Sequence, residues 1–384
     1  MKNAKCKIKN KNKNLQFTTC NLQFAIKQQG FSLVELLIAM AISIIVGMAG
    51  YVIFSSSNWS YKVQEDVSEV QQNVRVAMDR LAKDIRMAGF GLPDPPFSIT
   101  IGTSGALTAP ITVTNSSTGF DTITVLGIGY EAGKLQRDAT ITGAGGIVCN
   151  DSGASCIHLS APDADSIDRF FNDTGTFQTT RINISLGGAQ YIVLAAAGHN
   201  QANRQVTLGT PATLDRAYPD GTAVYIIQAV QYTINNTAPF LAGCSSTNPC
   251  LASLDYTGLR GGSGNDRQVL AENIEDIQFA YGIDVSPRDG MIDYTSPYSD
   301  GAFVFSATGA ATLSDPSSII AVKANIVGRT RNQDPKGATG FKSQCFEDRP
   351  VDAGTTNCTG AVSDGYRRRM LTKIIKLRNP KQGA

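Results

Sequence analysis

The clearest hydrophobic pattern in the chain is an apolar run near its N-terminus. From Leu36 to Phe54 there are 19 residues without a charged side chain. As an α-helix this run would measure about 28 Å, which is close to the roughly 30 Å hydrocarbon core of a bilayer. The pattern therefore predicts one helix that is long enough to span a membrane.

A second pattern, with the period of one helical face, follows the apolar run and predicts that the same helix continues. Its apolar residues recur at steps of three or four: Val63, Val67, Val70, Val74, Met78, Leu81 and Ile85. Glycines and prolines are frequent between residues 89 and 96, and they predict the end of the helix. The expected helix runs from Ser32 to Ala88, with a stripe that can pack against a sheet.

After about Ser98 the helical period disappears, and short β-rich runs alternate with turn residues. This change predicts an α+β fold, in which a long N-terminal helix, half membrane-spanning and half amphipathic, packs on an antiparallel sheet. The candidate strands are Thr122 to Ile128, Arg181 to Leu186, Tyr191 to Ala195, Gln205 to Leu208, Ala223 to Ile234, Ile277 to Tyr281, Ile319 to Val327 and Arg369 to Leu377.

These patterns divide the chain into a leader, a helix in two halves and a β-rich head. We expect the leader at residues 1–30, the transmembrane half of the helix at 31–54, its amphipathic half at 55–89 and the head at 90–384. The head is either a single domain or a domain with an inserted subdomain near residues 135–220.

The charges around the apolar run predict its orientation. Residues 1–30 carry seven lysines and no acid, and positively charged flanks tend to stay in the cytoplasm. Removal of this segment would change the net charge from +2 to −5. A mildly acidic remainder gives no general electrostatic case for nucleic-acid binding. We interpret the basic cluster at Arg367, Arg368 and Arg369 as a solvated strand face and expect no nucleic-acid partner.

Glu35 is the only charged residue between Gly30 and Tyr61. A carboxylate within a bilayer costs about 2 to 4 kcal/mol on insertion scales. Glu35 therefore requires either a cationic partner or a position near the membrane interface. The alternative is that it is an incidental acid at the edge of a signal anchor.

The run Gly30-Phe31-Ser32-Leu33-Val34-Glu35, followed by apolar residues, resembles the processing site of type IV prepilins and type II secretion pseudopilins. The resemblance implies that a prepilin peptidase cuts between Gly30 and Phe31 and that Phe31 is then N-methylated. It also implies that Glu35 pairs with the Phe31 amino group of a neighbouring subunit in the assembled fibre. A secretory signal peptide would instead have a shorter apolar region with a cleavage site after it.

Further stretches resemble PilW-type minor pilins: Met78 to Gly91, Leu270 to Asp284, Arg367 to Arg369 and Leu377 to Asn379. The resemblance implies a type IV minor pilin, anchored by a single pass in the bacterial inner membrane. Its head would lie in the periplasm and later in the pilus fibre at the cell surface. The implied partners are other pilins and minor pilins, the prepilin peptidase and the inner-membrane assembly platform. A type II secretion pseudopilin and a pilus-borne adhesin are the alternatives.

The cysteines outside the leader fall into three adjacent pairs in polar, glycine-containing stretches. They are Cys149 and Cys156, Cys244 and Cys250, and Cys345 and Cys358. In an oxidising compartment we expect three local disulfides, each stabilising by about 2 to 3 kcal/mol on chain-entropy grounds. Zinc binding is the competing hypothesis, but none of these pairs has CxxC spacing and the chain has two histidines.

The segment from Asp284 to Asp293 has two interpretations. In PilW-like proteins a DxDxDG-like loop often follows this position, and alternating oxygen ligands suit Ca²⁺. Here Arg288 stands where an acid is expected. The segment is therefore either an ordinary turn or a calcium site formed by Asp284, Ser286, Asp289 and Asp293. We expect no other cofactor.

Enzymatic motifs are missing from the sequence. The chain contains no GxSxG, HExxH or GxxxxGK[ST] motif. A membrane-anchored hydrolase that uses acids alone is the alternative. We expect a structural and assembly protein without catalytic activity.

Overall fold

The structure is a computed structural model. It describes residues 31–93, 97–101, 105–116, 119–160, 183–187, 192–200, 202–209, 213–257, 266–284, 289–292, 303, 318–334 and 365–378. The chain divides into an N-terminal unit, Met1–Ser60, and a C-terminal unit, Tyr61–Ala384.

One long helix and fourteen strands make up the described regular structure, together with a short 3-10 helix at Ala144–Gly146. In chain order they are α1 (Leu33–Met87), β1 (Ile99–Thr100), β2 (Ala106–Leu107), β3 (Ile111–Thr114), β4 (Thr122–Lys134), β5 (Cys156–His158), β6 (Asn183–Leu186), β7 (Ile192–Asn200), β8 (Gln205–Leu208), β9 (Ala223–Asn235), β10 (Cys250–Asp255), β11 (Asp266–Glu272), β12 (Ile274–Ile283), β13 (Ile319–Arg329) and β14 (Arg368–Lys376).

Within the C-terminal unit, α1 buries the apolar stripe that the sequence predicts. The fully buried residues are Val70, Val74, Ala77, Met78, Leu81, Ala82 and Ile85. The first two members of the predicted stripe, Val63 and Val67, are only half-buried. The amphipathic stretch therefore packs into the core from Val70 onward.

The end of α1 is fixed against strand β4. Gly89 and Gly91 have positive φ angles of 76° and 72°, which L side chains rarely adopt. The Gly89 amide donates to the carbonyl of Leu126 over 2.9 Å. A Cβ atom on Gly91 would lie 1.8 Å from Cδ1 of Ile128. The predicted helix stop is confirmed, and glycine is needed there for both backbone angle and space.

Strand β9 organises the larger, nine-stranded antiparallel sheet. Along one edge it pairs with β4. Its other edge is shared: β10 pairs with residues 230–235 and β6 with residues 224–227. The sheet continues from β6 through β7 and β8 to β5, while β11 borders β10 and β3 borders β4.

The smaller sheet is antiparallel and has the order β12-β13-β14. Only Asn273 separates it in sequence from β11 of the larger sheet, and its φ of 59° redirects the chain. Asparagine tolerates this left-handed conformation better than most residues. Asp121 joins the sheets a second time, because its carboxylate accepts a hydrogen bond from the Phe279 amide over 2.8 Å.

Three apolar clusters form the core of the described residues. The first joins α1 to both sheets and contains Met78, Phe279, Tyr281 and Ile326. This packing confirms the α+β prediction of a helix on antiparallel sheet. The second cluster draws its residues from 132–226, including Ile157 and Val206. An inserted subdomain near residues 135–220 stays a prediction. The third cluster surrounds Leu92 and Ile101.

Candidate assembly site

The N-terminal part of α1 exposes apolar side chains on all sides. Every residue from 31 to 58 is exposed, and Phe31 reaches 82% of its full exposure. The exposed large residues of this segment include Leu37, Ile42, Ile45, Val52 and Phe54. A helix that is apolar all round is stable when buried in lipid or among other helices. This surface, residues 31–54 of the chain, is the candidate assembly surface.

Among the described residues, α1 is the one helix whose length and apolar composition would allow it to cross a membrane. The backbone supports this role at Ser43, whose hydroxyl donates to the Ala39 carbonyl over 2.7 Å. A hydroxyl without a partner is costly in hydrocarbon, and this contact gives the Ser43 hydroxyl one.

Glu35 lies in the first turn of α1. The helix begins with the Leu36 amide donating to the Ser32 carbonyl over 3.1 Å, and an acid at this end is favourable to the helix dipole. The Glu35 side chain is exposed and makes no hydrogen bond or ion pair within the described part of the chain. Phe31 directly precedes Ser32, while Gly30 lies outside the described residues, so the processing position stays a prediction.

The structure forms two of the expected local disulfides. Cys149 bonds to Cys156, and Cys244 bonds to Cys250. The first closes the loop before β5, and the second joins the start of β10 to the preceding turn. Cys345 and Cys358 lie outside the described residues, so their pairing stays a prediction.

The candidate calcium loop is described in part. A carboxylate oxygen of Asp284 accepts a hydrogen bond from the Gly290 amide over 2.7 Å, and Asp289 accepts one from the Met291 amide over 2.9 Å. Both acids therefore bind backbone groups of their own loop, as turn-forming aspartates do. Ser286 and Asp293 lie outside the described residues. In the part of the chain that the structure covers, no three His, Cys, Asp or Glu side chains form a metal-binding group.

Three of the basic residues near the C-terminus pair with acids, and one of them, Arg368, is buried, so the prediction of a solvated strand face is wrong for Arg368. Arg367 contacts Asp334 over 2.6 Å, and Arg368 contacts Glu275 through two hydrogen bonds of 2.6 and 2.9 Å. Lys373 reaches Asp79 on α1 over 3.1 Å. These pairs hold β14 to its neighbours in the C-terminal unit. These ion pairs engage basic side chains that contacts with a nucleic-acid phosphate backbone would require.

Sequence reasoning missed a polar contact at the edge of the main core. The Tyr232 hydroxyl on β9 donates to the Asp84 carboxylate on α1, and Arg80 lies 3.4 Å from the same carboxylate. Burial, followed by the nearby Asp84 charge, raises the pKa of Tyr232 well above its usual range. The spacing of Arg80 and Asp84 on one helical face was a visible signal, but nothing in the sequence indicated Tyr232.

Two family models match the chain. Residues 26–51 match the model described as the prokaryotic N-terminal methylation motif, and residues 227–379 match the model described as type IV pilus-assembly protein W. Together they confirm, over these two stretches of the chain, the resemblance to type IV pilins noted in the sequence. More particularly, the chain combines the methylation motif with a PilW region.

Two proteins from Thermus thermophilus are also similar. Pilin-like protein PilA3 is 36% identical over 83 residues, a match that covers 18% of this chain and 36% of that protein. The chain thus spans about a third of the length of this relative. The structure of a type IV-like pilin aligns with 83% of this chain and 98% of its own, at 11% identity and a TM-score of 0.32.

Proposed function

We propose that this chain is a minor pilin of a type IV pilus, which primes assembly or takes a place in the fibre. The observation that carries the proposal is the exposed apolar segment of α1 with a single acid, Glu35, four residues after Phe31, which has no partner among the described residues. The match of residues 26–51 to the methylation motif supports the same processing. The apolar helix and the motif fit a membrane-anchored pilin.

The proposed sequence of events begins with the leader. Prepilin peptidase removes residues 1–30 between Gly30 and Phe31, and the new amino group of Phe31 is methylated. The helix then remains as a single pass in the inner membrane, with its N-terminus toward the cytoplasm and the head in the periplasm. The seven lysines of the leader support this orientation.

Polymerisation exchanges lipid for neighbouring helices around the candidate assembly surface. Because lipid chains and apolar side chains are similar environments, this exchange involves little hydrophobic driving force. An unpaired carboxylate in the new interior would oppose it, whereas a neighbour's Phe31 amine would neutralise Glu35. The partners are therefore other pilins and the inner-membrane assembly platform. We propose no catalytic role and no required cofactor, and calcium binding at Asp284 stays a prediction.

A type II secretion pseudopilin would share the whole N-terminal mechanism. The match of residues 227–379 to a family described as pilus-assembly protein W favours the pilus. The presence of the chain in sheared pili would distinguish the two.

Replacement of Glu35 tests the proposal. Glu35→Gln keeps the size of the side chain but removes its charge, so we expect normal amounts in the inner membrane and a sharp loss from sheared pili. The matched control is Glu65→Gln, the same change at an exposed position of α1 outside the candidate assembly surface, and this variant should incorporate normally. Immunoblots of the two fractions measure the result. Unchanged incorporation of Glu35→Gln would show that the pairing is not required, and absence of the unaltered protein from sheared pili would contradict the pilus assignment.

A further inference from the structure

The uncharged part of α1 is longer than a bilayer requires. It extends beyond Phe54 to Tyr61, so the stretch from Leu36 covers 26 residues. As a helix it measures about 39 Å, whereas a typical hydrocarbon core is about 30 Å thick. Helix α1 continues without a break through this stretch. Length alone therefore leaves open which residues lie at the two membrane interfaces.

Two positions of the helix in the bilayer fit its aromatic residues. In the first, Phe31 and Tyr51 lie at the two boundaries, about 30 Å apart, and Glu35 lies about 6 Å inside the hydrocarbon. In the second, Glu35 and Trp59 lie about 36 Å apart, so each falls about 3 Å outside a 30 Å core.

The positions differ in which polar groups they place in hydrocarbon. The first buries a carboxylate that has no partner among the described residues. The second buries the Tyr51 hydroxyl about 9 Å inside the boundary instead. An ionised carboxylate costs far more to desolvate than a hydroxyl, and a tyrosine can extend its polar tip toward the interface.

The residues after Phe54 also favour the second position. Ser55, Ser56, Ser57 and Asn58 are polar but uncharged, and Trp59 follows them. Tryptophan is enriched at membrane interfaces, where its amphipathic ring lies at the level of the headgroups. Trp59 is half-buried at the end of the N-terminal unit.

We propose that Trp59 is an interfacial anchor that binds the lipid headgroup region on the far side of the membrane and thereby holds Glu35 in the opposite interface. Glu35 then needs no partner while the subunit waits in the membrane. It requires the neighbouring amine only when the helix leaves lipid. This inference rests on the proposed membrane anchoring.

Trp59 is the only tryptophan of the chain, so its fluorescence reports its depth directly. The full chain is reconstituted into vesicles of phosphatidylcholine and phosphatidylglycerol that contain lipids brominated either near the glycerol end or near the methyl end of the acyl chain. We expect a greater loss of Trp59 fluorescence with bromine near the glycerol end, together with an emission maximum shifted to the blue of the denatured chain.

A double variant, Trp59→Phe with Tyr51→Trp, is the matched control. It moves the single tryptophan eight residues, about 12 Å, toward the bilayer centre. We expect the quenching order to reverse, with the greater loss from bromine near the methyl end.

Two results would overturn the inference in distinguishable ways. If the unaltered chain floats with the vesicles but Trp59 is not quenched, while the Tyr51→Trp variant is quenched from the glycerol end, the first position is correct. If the chain does not float with vesicles at all, the proposed anchoring fails, and this inference fails with it.

Discussion

Tyr232 and Asp84 show how a single polar contact can hold α1 to the sheet. Tyr232 is fully buried among apolar side chains, and its hydroxyl finds Asp84 on the helix. A buried hydroxyl without a partner would cost free energy, so this contact selects one position of the helix along β9. The same carboxylate contacts Arg80 over 3.4 Å, which completes a small polar group at the edge of the main core.

Replacement of Tyr232 by Phe should destabilise the C-terminal unit. The change removes the donor to Asp84 and leaves the ring in place, so we expect the free energy of unfolding to fall by about 1 to 3 kcal/mol. The control is Tyr61→Phe, since Tyr61 is 77% exposed and should tolerate the loss of its hydroxyl. Urea unfolding of the full chain in detergent measures both variants. Equal stability of the two would contradict a structural role for the contact.

The raised pKa of Tyr232 predicts how the free energy of unfolding changes at alkaline pH. Its pKa is raised above the ordinary value of 10.0 by burial and by Asp84. The neutral Tyr232 hydroxyl therefore contributes fully to the free energy of unfolding below about pH 10, the usual tyrosine pKa. Above that pH this tyrosine ionises first in the unfolded chain, so its contribution is lost as the pH rises. We expect the free energy of unfolding to decline above that pH, and the decline to be shallower in Tyr232→Phe. The same slope in both proteins would contradict this.

At the scale of elements, α1 packs tightly against the smaller sheet at Gly328 on β13. A Cβ atom there would lie 2.5 Å from Cγ2 of Val74 and 3.0 Å from Cγ1 of Val70. Both valines are buried, and their branched side chains have few alternative rotamers. The helix can therefore pack this closely only against a glycine.

Gly328→Ala should weaken this packing. Overpacking a core costs about 1 to 3 kcal/mol, which exceeds the 0.4 to 1 kcal/mol that a glycine-to-alanine change gains through the unfolded state. The control is Gly198→Ala on β7, where the nearest atom to the new Cβ is 3.8 Å away. We expect lower stability in the first variant only, with partial recovery when Val74→Ala is added. Thermal unfolding measures all three, and a stabilised Gly328→Ala protein would refute the packing argument.

The disulfides should stabilise their loops. Closing a loop of about eight residues is worth about 2 to 3 kcal/mol on chain-entropy grounds. We therefore expect the double variant Cys149→Ser, Cys156→Ser to lose about that much stability, measured by urea unfolding without reductant. Peptide mapping under non-reducing conditions should also find Cys345 joined to Cys358. A link from Cys345 to any other cysteine would contradict the local pattern.

The sequence predicted the elements in which apolar residues recur with a clear helical or strand period. Both ends of the helix lie within one residue of the expected bounds, and each of the eight candidate strands overlaps a strand among the described residues. The missed strands were β1, β2, β3, β5, β10 and β11. Most of these strands are short. Strand β10 is held by pairing with β9 and β11 on its two edges, whereas its own sequence does not alternate throughout between apolar and polar residues. Pairing between distant strands is not encoded in local pattern, so the division into two sheets at Asn273 was beyond sequence reasoning.

The same limit applies to the candidate site. Phe31 and Glu35 could be recognised because their spacing is local. Tyr232 could not be linked to Asp84, since 148 positions separate them. The third disulfide and two of the four calcium candidates lie outside the described residues, and those predictions remain open.

At the scale of the whole molecule, one helix serves two environments. Residues 31–58 expose their apolar side chains, whereas the apolar stripe between Val70 and Ile85 is buried in the C-terminal unit. This division is what a subunit needs if its head folds independently of the surface that polymerises. The leader with its seven lysines would oppose burial of the N-terminus among other helices, because each charge would have to be desolvated.

The most direct measurement is therefore the mass of the N-terminal peptide of the protein isolated from cells that contain a prepilin peptidase. We predict a chain that begins at Phe31 and carries one methyl group on its amino nitrogen. A chain that still contains residues 1–30, or one cut beyond Phe54, would contradict the account.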